Sequence, residues 1–578
     1  MGETGQLNPA ASSERLWTPW LLALALAAPS FAPLIGHYVG FWRMGLRPTG
    51  FIIYDSAYYL ANAREQFDSG TFTALYSNAY SFDYASPRIY FQPLTFVLGA
   101  LLDLTRADPG LVFALVGIVT AAICARVAVA LFDRFGDRSE RGGTLSFIAF
   151  FWGGGLFVLM GTLLSLLAPA PRSHSFDVAN WWWFVRVADP AGGWWFLNLG
   201  RNLVLPTEAL YHALFLGTIA AVVSRRFQLA AVLLATLSVS HPFTGLQLLA
   251  IVGAWSALEL IVLRSRVVPT WFVVCVAILA ALHVAYYLWF LPRFPEHRQL
   301  QKQWTLRWTL SFPQSLLAYG AVGVLALATL GTPARFRRAV SEWPNRLLLT
   351  WLGVSLVLEN HELFVREPVQ PLHFTRGYTW VALFLLGLPA LSRFFRRLRD
   401  GQRRPVGWLA AAAVIAVLLS DNAAWLGATT TQGLGMRLGR DLPIDSLRQG
   451  FGLSRDERAV LAWMNKPQLA GRVVLSEDPK LGYLLTAYTP LRSWRSHYAN
   501  TPWSSERRGE LEAFFQQGKV ADAWRTLPLL VVFRATTPWH DRMAGLTTDS
   551  INPAFENASY VAVQVGGAYS RIQEPTPP

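Results

Sequence analysis

The run LWTPWLLALALAAPSFAPLIGHYV, Leu16–Val39, decides how the rest of the chain is read. It carries no Asp, Glu, Lys or Arg, and as a helix it is long enough to cross the roughly 30 Å of bilayer hydrocarbon. No small-residue cleavage site follows, so it is expected to stay as a first span rather than be removed as a signal peptide. Similar apolar runs recur through the 578 residues, which are 53% hydrophobic, 13% aromatic and only 15% charged. That composition is too apolar for a soluble protein of this size. The expected fold class is a polytopic α-helical membrane protein with a C-terminal soluble α/β domain.

The net charge of +14 is distributed in a way that argues against a nucleic-acid partner. Short basic turns separate the apolar runs: Arg134, Arg138 and Arg141; Arg225 and Arg226; Arg264 and Arg266; Arg335, Arg337, Arg338 and Arg346; Arg393 through Arg404. They hold 17 arginines against five acids, which is the positive-inside pattern and assigns these turns to the cytoplasm. About 11 spans then follow, near 16–39, 110–132, 143–168, 207–223, 228–240, 242–263, 267–290, 314–331, 347–359, 377–392 and 407–427. The N-terminus is expected to be cytoplasmic, and everything after about residue 429 extracytoplasmic, in a multi-pass protein of the cell membrane. A span at Phe91–Leu104 would invert the arginine rule, so that segment is expected to lie along the outer interface. The stretch 228–263 enters and leaves on one side, and proline breaks helices. It is expected to be a hairpin with Ser240-His241-Pro242-Phe243-Thr244-Gly245 at its tip.

Two parts are expected, a membrane part at 1–428 with long outer loops and an extracytoplasmic α/β part at 429–578. In the second, Ser454–Met464 has the pattern of an N-capped helix, with Ser454 as cap and Glu457 three residues on. Arg472–Ser476, Leu529–Phe533 and Tyr560–Val565 have strand patterns and Glu506–Gln516 a helical one. Its 17 basic and 14 acidic residues nearly balance, which gives no reason to expect a polyanion. Cys124 and Cys275 fall in apolar runs and read as small core residues. Trp181-Trp182-Trp183 and Trp194-Trp195 suit an interfacial aromatic belt or a sugar-stacking surface.

The outer loops carry both signs of charge while the middles of the spans are nearly free of it. A charge at the bilayer centre costs about 2.5–3.5 kcal/mol on insertion scales, so this distribution favours chemistry at a membrane surface over transport through it. Asp55, in Tyr54-Asp55-Ser56-Ala57-Tyr58-Tyr59-Leu60, sits among rings that limit water. There a carboxylate can serve as general base, or simply cap the following helix. Arg376 and His373 can meet a phosphate or anchor a span. Asp83 with Arg88 is either a second acid near an acceptor or a loop ion pair, and the pair is favoured. His241 faces a cavity or caps a helix, and Arg201 is a further phosphate candidate. Glu208 and His212, four apart on one helix face, are weak candidates for a divalent metal. No zinc spacing, phosphate-binding glycine loop or GxSxG motif is present.

The pattern Tyr54 through Arg64, with Gly70-Thr71-Phe72 and Tyr90-Phe91-Gln92-Pro93-Leu94, resembles the GT-C glycosyltransferases, polytopic enzymes that use polyprenyl-phosphate-linked sugars. The resemblance covers roughly 16–427. It implies Asp55 as the catalytic acid that deprotonates an acceptor hydroxyl in an inverting transfer. It also implies Arg376 in the last outer loop on the donor phosphate, with Tyr58 and Tyr59 beside the reacting groups. The implied partners are the lipid bilayer, a polyprenyl-phosphate sugar donor and a glycan, lipid or protein acceptor. Many relatives place a second acid beside the first; here Asp55 is followed by Ser56.

Overall fold

The computed structural model describes residues 19–68, 73–136, 143–167, 178–189, 197–400, 404–436, 450–543, 546 and 553–566. Gly70-Thr71-Phe72, Trp194-Trp195 and the basic turn bearing Arg138 and Arg141 lie outside them. The chain divides into two compact units. The first comprises Met1–Gly40, Ala114–Trp289 and Thr305–Gln449, and the second Phe41–Phe113, Phe290–Trp304 and Gly450–Pro578. The first loop therefore shares a unit with the C-terminal residues.

The helices of the first unit are long because apolar residues run without a break between prolines and basic turns. Among the described residues eight helices are long and apolar enough to cross a membrane, or nine if one bent pair counts as a single span. They are Pro19–Arg43, Pro109–Phe135, Pro206–Val223, Pro242–Val262, Thr270–Arg293, Phe312–Leu330, Tyr378–Arg397 and Val406–Gly433. Phe227–Ser240 and Trp343–Glu359, at 14 and 17 residues, are the shorter helices at the two remaining expected positions. Several open on proline at the first turn, where its missing N–H costs nothing. His241 breaks the hairpin as expected: its backbone is extended, and its Nδ1 accepts from Thr244 N at 3.1 Å, capping the helix that Pro242 starts.

At the span expected near 143–168 stand two helices, Gly143–Trp152 and Phe157–Leu167, bent by 71°. Gly153 and Gly155 make the bend because backbones approach there too closely for a side chain. A Cβ on Gly155 would stand 2.3 Å from Leu317 O, and one on Gly153 2.1 Å from Ala149 O. Asp421 then receives the freed N–H groups of Phe157 and Val158, at 3.2 and 2.7 Å. The hydrocarbon run hid this break, and it explains why one acid sits inside the span Val406–Gly433.

The second unit is built on a five-stranded sheet in the order Arg492–Ser493, Val473–Ser476, Leu529–Arg534, Tyr560–Val565, Phe555–Glu556. The first three strands run parallel; Tyr560–Val565 pairs antiparallel with Leu529–Arg534. Val473 to Ser476 and Leu529 to Phe533 are buried without alternation, as strands covered on both faces are. Helix Arg455–Met464 opens with the expected capping box, Glu457 N to Ser454 Oγ at 3.1 Å and Ser454 N to Glu457 Oε2 at 2.6 Å. A two-stranded pairing of Arg47–Pro48 with Gly452–Leu453 fixes the chain just before Asp55. Phe91–Leu104 gives the 13-residue helix Pro93–Thr105, too short to span.

Candidate functional site

Asp55 stands at the residue before helix Ser56–Asp68, with Tyr58 N 3.2 Å from its carbonyl. Its side chain does not cap that helix. It turns to His497, whose Nε2 lies 2.7 Å from Oδ1. The carboxylate is 54% exposed while the imidazole is 2% exposed. Three donors, Ala499 N, Asn500 N and Asn500 Nδ2, aim at His497 Nδ1 from 3.0, 3.2 and 3.3 Å. Nδ1 is therefore the acceptor, the ring hydrogen sits on Nε2, and Nε2–H donates to Asp55.

Phenol rings surround this pair. Tyr54 stacks on Tyr483 at 4.4 Å, and Tyr498 lies parallel to His497 at 5.1 Å with 39% of its own surface open. Tyr58 and Tyr80 each approach the imidazole to 6.0 Å. Burial pushes the Tyr54 and Tyr58 phenols up to about 12, so both remain protonated donors beside a carboxylate. Tyr59 points elsewhere and stacks on Phe113 at 6.3 Å.

The loop behind the pair is held by Arg492. Its guanidinium reaches Ser77 Oγ at 2.9 Å, Asp83 O at 2.5 Å and Glu65 Oε1 at 3.3 Å. Arg88 sits 3.6 Å from the same Glu65 oxygen. The favoured Asp83–Arg88 ion pair is thus replaced by Arg88–Glu65. The Asp83 carboxylate instead accepts from Ala85 N at 2.8 Å, the short-range turn bond that aspartate commonly makes.

Arg376 belongs to the first unit and lies on a strained turn. Gln370, Arg376 and Gly377 have φ of 46°, 28° and 77°, the left-handed region that a side-chain-bearing residue adopts only when its surroundings force it. The forcing contacts are Gln370 N to Leu306 O at 3.0 Å, Leu372 N to Trp308 O at 2.8 Å and Gln247 Nε2 to Phe374 O at 2.9 Å. The Arg376 guanidinium grips Glu208 through Nη1 and meets His373 Nδ1 at 2.6 Å through Nη2. His373 is half-buried against Phe243 and Trp308. Desolvation first, then the neighbouring guanidinium, holds it well below the ordinary histidine value. His241 lies parallel to His373, with ring centres 6.4 Å apart.

The Glu208/His212 pair is otherwise engaged. His212 directs Nδ1 to Glu208 O at 2.8 Å and Nε2 to Arg376 O at 2.5 Å, while the Glu208 carboxylate holds Arg376. Both ring nitrogens face backbone carbonyls, so this donor set does not present itself to a cation, and among the described residues no group of three or more candidate ligands gathers. Arg201 is fully enclosed. It donates to Asp189 Oδ2 at 2.9 Å, Asn422 Oδ1 at 2.7 Å and Asp421 O at 3.2 Å, beside the indole of Trp425.

His497, Tyr483, Tyr498 and Arg492 escaped the sequence reading. They come from a soluble-looking stretch more than 400 residues after Asp55, and no local spacing joins them to it.

No family model matches the chain, and no curated protein does. Among solved structures it is similar to an oligosaccharyltransferase of Archaeoglobus fulgidus tethered with an acceptor peptide. The identity is 11% and the TM-score 0.47, over 90% of this chain and 70% of that one. It is also similar to AglB from Archaeoglobus fulgidus in complex with an inhibitory peptide and a dolichol-phosphate, at 12% identity and TM-score 0.43, over 90% and 69%. A third is ArnT from Cupriavidus metallidurans in the apo state, at 11% identity and TM-score 0.41, over 96% and 98%.

Proposed function

We propose that the protein is an integral membrane glycosyltransferase. It would move a hexosyl or pentosyl unit from a polyprenyl-phosphate donor to a glycan, lipid or protein acceptor at the outer face of the membrane. The observation that carries this reading is the half-exposed Asp55 carboxylate, tied through one oxygen to a buried histidine and ringed by phenols. A sugar hydroxyl is a poor nucleophile, and a positioned base contributes roughly 10²–10⁴-fold. The arginine-rich turns support a cytoplasmic side for the opposite ends of the spans. That reading sends the first loop and the C-terminal residues outward.

In the proposed step the acceptor O–H gives its proton to Asp55 as its oxygen bonds to the donor C1. The C1–O bond to phosphate breaks, and its electron pair leaves on the polyprenyl phosphate. Attack opposite the leaving group inverts the anomeric centre. Arg376 is the proposed partner of that phosphate. A guanidinium offers a planar fork of donors to its oxygens, and the strained turn holds it in place. His373 would add its Nε2–H, the nitrogen left after Nδ1 meets Arg376.

The test reconstitutes the purified protein in liposomes with a radiolabelled polyprenyl-phosphate sugar and candidate acceptors. A glycosidic product of inverted configuration is expected. Movement of label across the bilayer without any new glycosidic bond would make the protein a transporter instead.

A further inference from the structure

We infer that His497 is the positioning residue that dedicates one oxygen of Asp55 to the acceptor, an inference that rests on the glycosyl-transfer reading above. The geometry divides the carboxylate into two unlike oxygens. Oδ1 receives Nε2–H of His497 at 2.7 Å; among the described residues no other side chain or backbone group bonds the carboxylate. The side chain is half open, so Oδ2 is the oxygen that can take a proton from a hydroxyl arriving from solvent.

His497 is built to hold and not to relay. A relay would need Nδ1 to accept a proton as Nε2 released one. Nδ1 is covered by two backbone N–H groups and the Asn500 amide, which leave no lone pair for that exchange. The proton taken by Asp55 therefore leaves through the exposed side of the carboxyl group.

The loop carrying the ring is itself fixed on both sides. Ser496 N bonds Thr501 Oγ1 at 3.2 Å, and Thr501 N returns to His497 O at 3.0 Å. Gln303 Nε2 and Trp304 Nε1 reach Ala499 O at 3.2 and 3.0 Å, and Asn78 Nδ2 reaches Asn500 O at 2.8 Å. The imidazole also lies near parallel to the rings of Tyr80 and Tyr498, at 6.0 and 5.1 Å. An exposed carboxylate on a loop would otherwise sample several rotamers, and a misplacement of about 1 Å can cost on the order of 10²-fold in rate. One hydrogen bond from a locked ring removes that freedom, as outer-shell partners do for metal ligands.

The experiment compares His497→Phe, which keeps a flat ring without the donor, with His497→Gln, which returns an N–H near the Nε2 position. The expected result is a 10- to 100-fold fall in kcat for His497→Phe, with KM for the acceptor within about twofold. Recovery of at least a third of the lost kcat is expected in His497→Gln. Equal impairment of both variants, or a parental kcat in folded His497→Phe, would overturn the inference. Asp55→Asn, run in parallel, separates the two levels. If it is inactive while folded His497→Phe keeps the parental kcat, transfer stands and the positioning role falls. If it is fully active, the transfer reading itself falls. Should His497→Phe not fold, histidine-selective ¹⁵N spectra of the parent decide the matter, with His497→Gln supplying the assignment. A hydrogen on Nε2 supports the role, and a hydrogen on Nδ1 removes the donor that it requires.

Discussion

Tyr483 donates its phenolic hydrogen to the carbonyl of Tyr54 while the two rings stack 4.4 Å apart. The residue immediately before Asp55 is thus fixed by one that lies 429 positions later in the chain. Tyr483→Phe keeps the stack and removes the donor, leaving a carbonyl in need of a partner. The expected cost is about 1–3 kcal/mol. The thermal midpoint in detergent should fall, and transfer activity should fall with it. An unchanged midpoint would show that the bond contributes nothing.

The Arg376–Glu208 pair separates structure from chemistry. Arg376→Gln alone leaves the Glu208 carboxylate buried without its cation, at a cost of roughly 3–5 kcal/mol. Arg376→Gln combined with Glu208→Gln removes both charges and should regain most of that stability. On the proposed role the double variant remains at least 100-fold impaired with the polyprenyl-phosphate donor. Thermal denaturation and donor kinetics, measured on the same samples, check the two halves.

Gly377 is required by its backbone. Its φ is 77°, and a Cβ there would stand 2.8 Å from Asn198 C and 2.9 Å from Asn198 O. Gly377→Ala should therefore destabilise by more than about 1 kcal/mol. It should also displace Arg376, so that KM for the donor rises. A control Gly320→Ala, inside helix Phe312–Leu330 with open space around it, should cost no stability and leave KM for the donor unchanged.

The sequence revealed the features whose signals are local. The Ser454/Glu457 capping box, the break at His241-Pro242 and the strand Tyr560–Val565 each follow from a few adjacent residues. Asp55 was legible for the same reason, as an acid among rings next to a span. The bend at Gly153–Gly155 was not, because a hydrophobic window looks alike whether its helix is straight or broken. Gly155 is explained by the backbone of Leu317, far away in the chain. His497 was hidden for a related reason: a histidine in an ordinary soluble stretch acquires meaning only when folding brings it to Asp55. The Asp83–Arg88 expectation failed because Glu65 on helix Ser56–Asp68 presents a carboxylate that both Arg88 and Arg492 can share.

His297 gives the second unit a pH dependence of known sign. Burial holds its imidazole down at about 4, with Nδ1 on the Tyr90 hydroxyl at 2.9 Å. The unfolded chain takes up a proton near pH 6.5 and the folded one only near 4. Stability is therefore flat above pH 6.5 and falls as pH drops from 6.5 towards 4, by on the order of 3 kcal/mol for this group. His297→Gln should flatten that part of the profile. Thermal midpoints of parent and variant at pH 7 and pH 4.5 provide the comparison; parallel losses would mean that His297 is not responsible.

The most direct measurement is the single-turnover rate of Asp55→Asn with a polyprenyl-phosphate sugar and a working acceptor. Asparagine keeps the size of the side chain and can still meet His497, but it cannot take a proton. A rate at least 10²-fold below the parent, with the donor still bound, is the expected result. Transfer at the parental rate would contradict a general-base role for Asp55 and, with it, the proposed chemistry of this site.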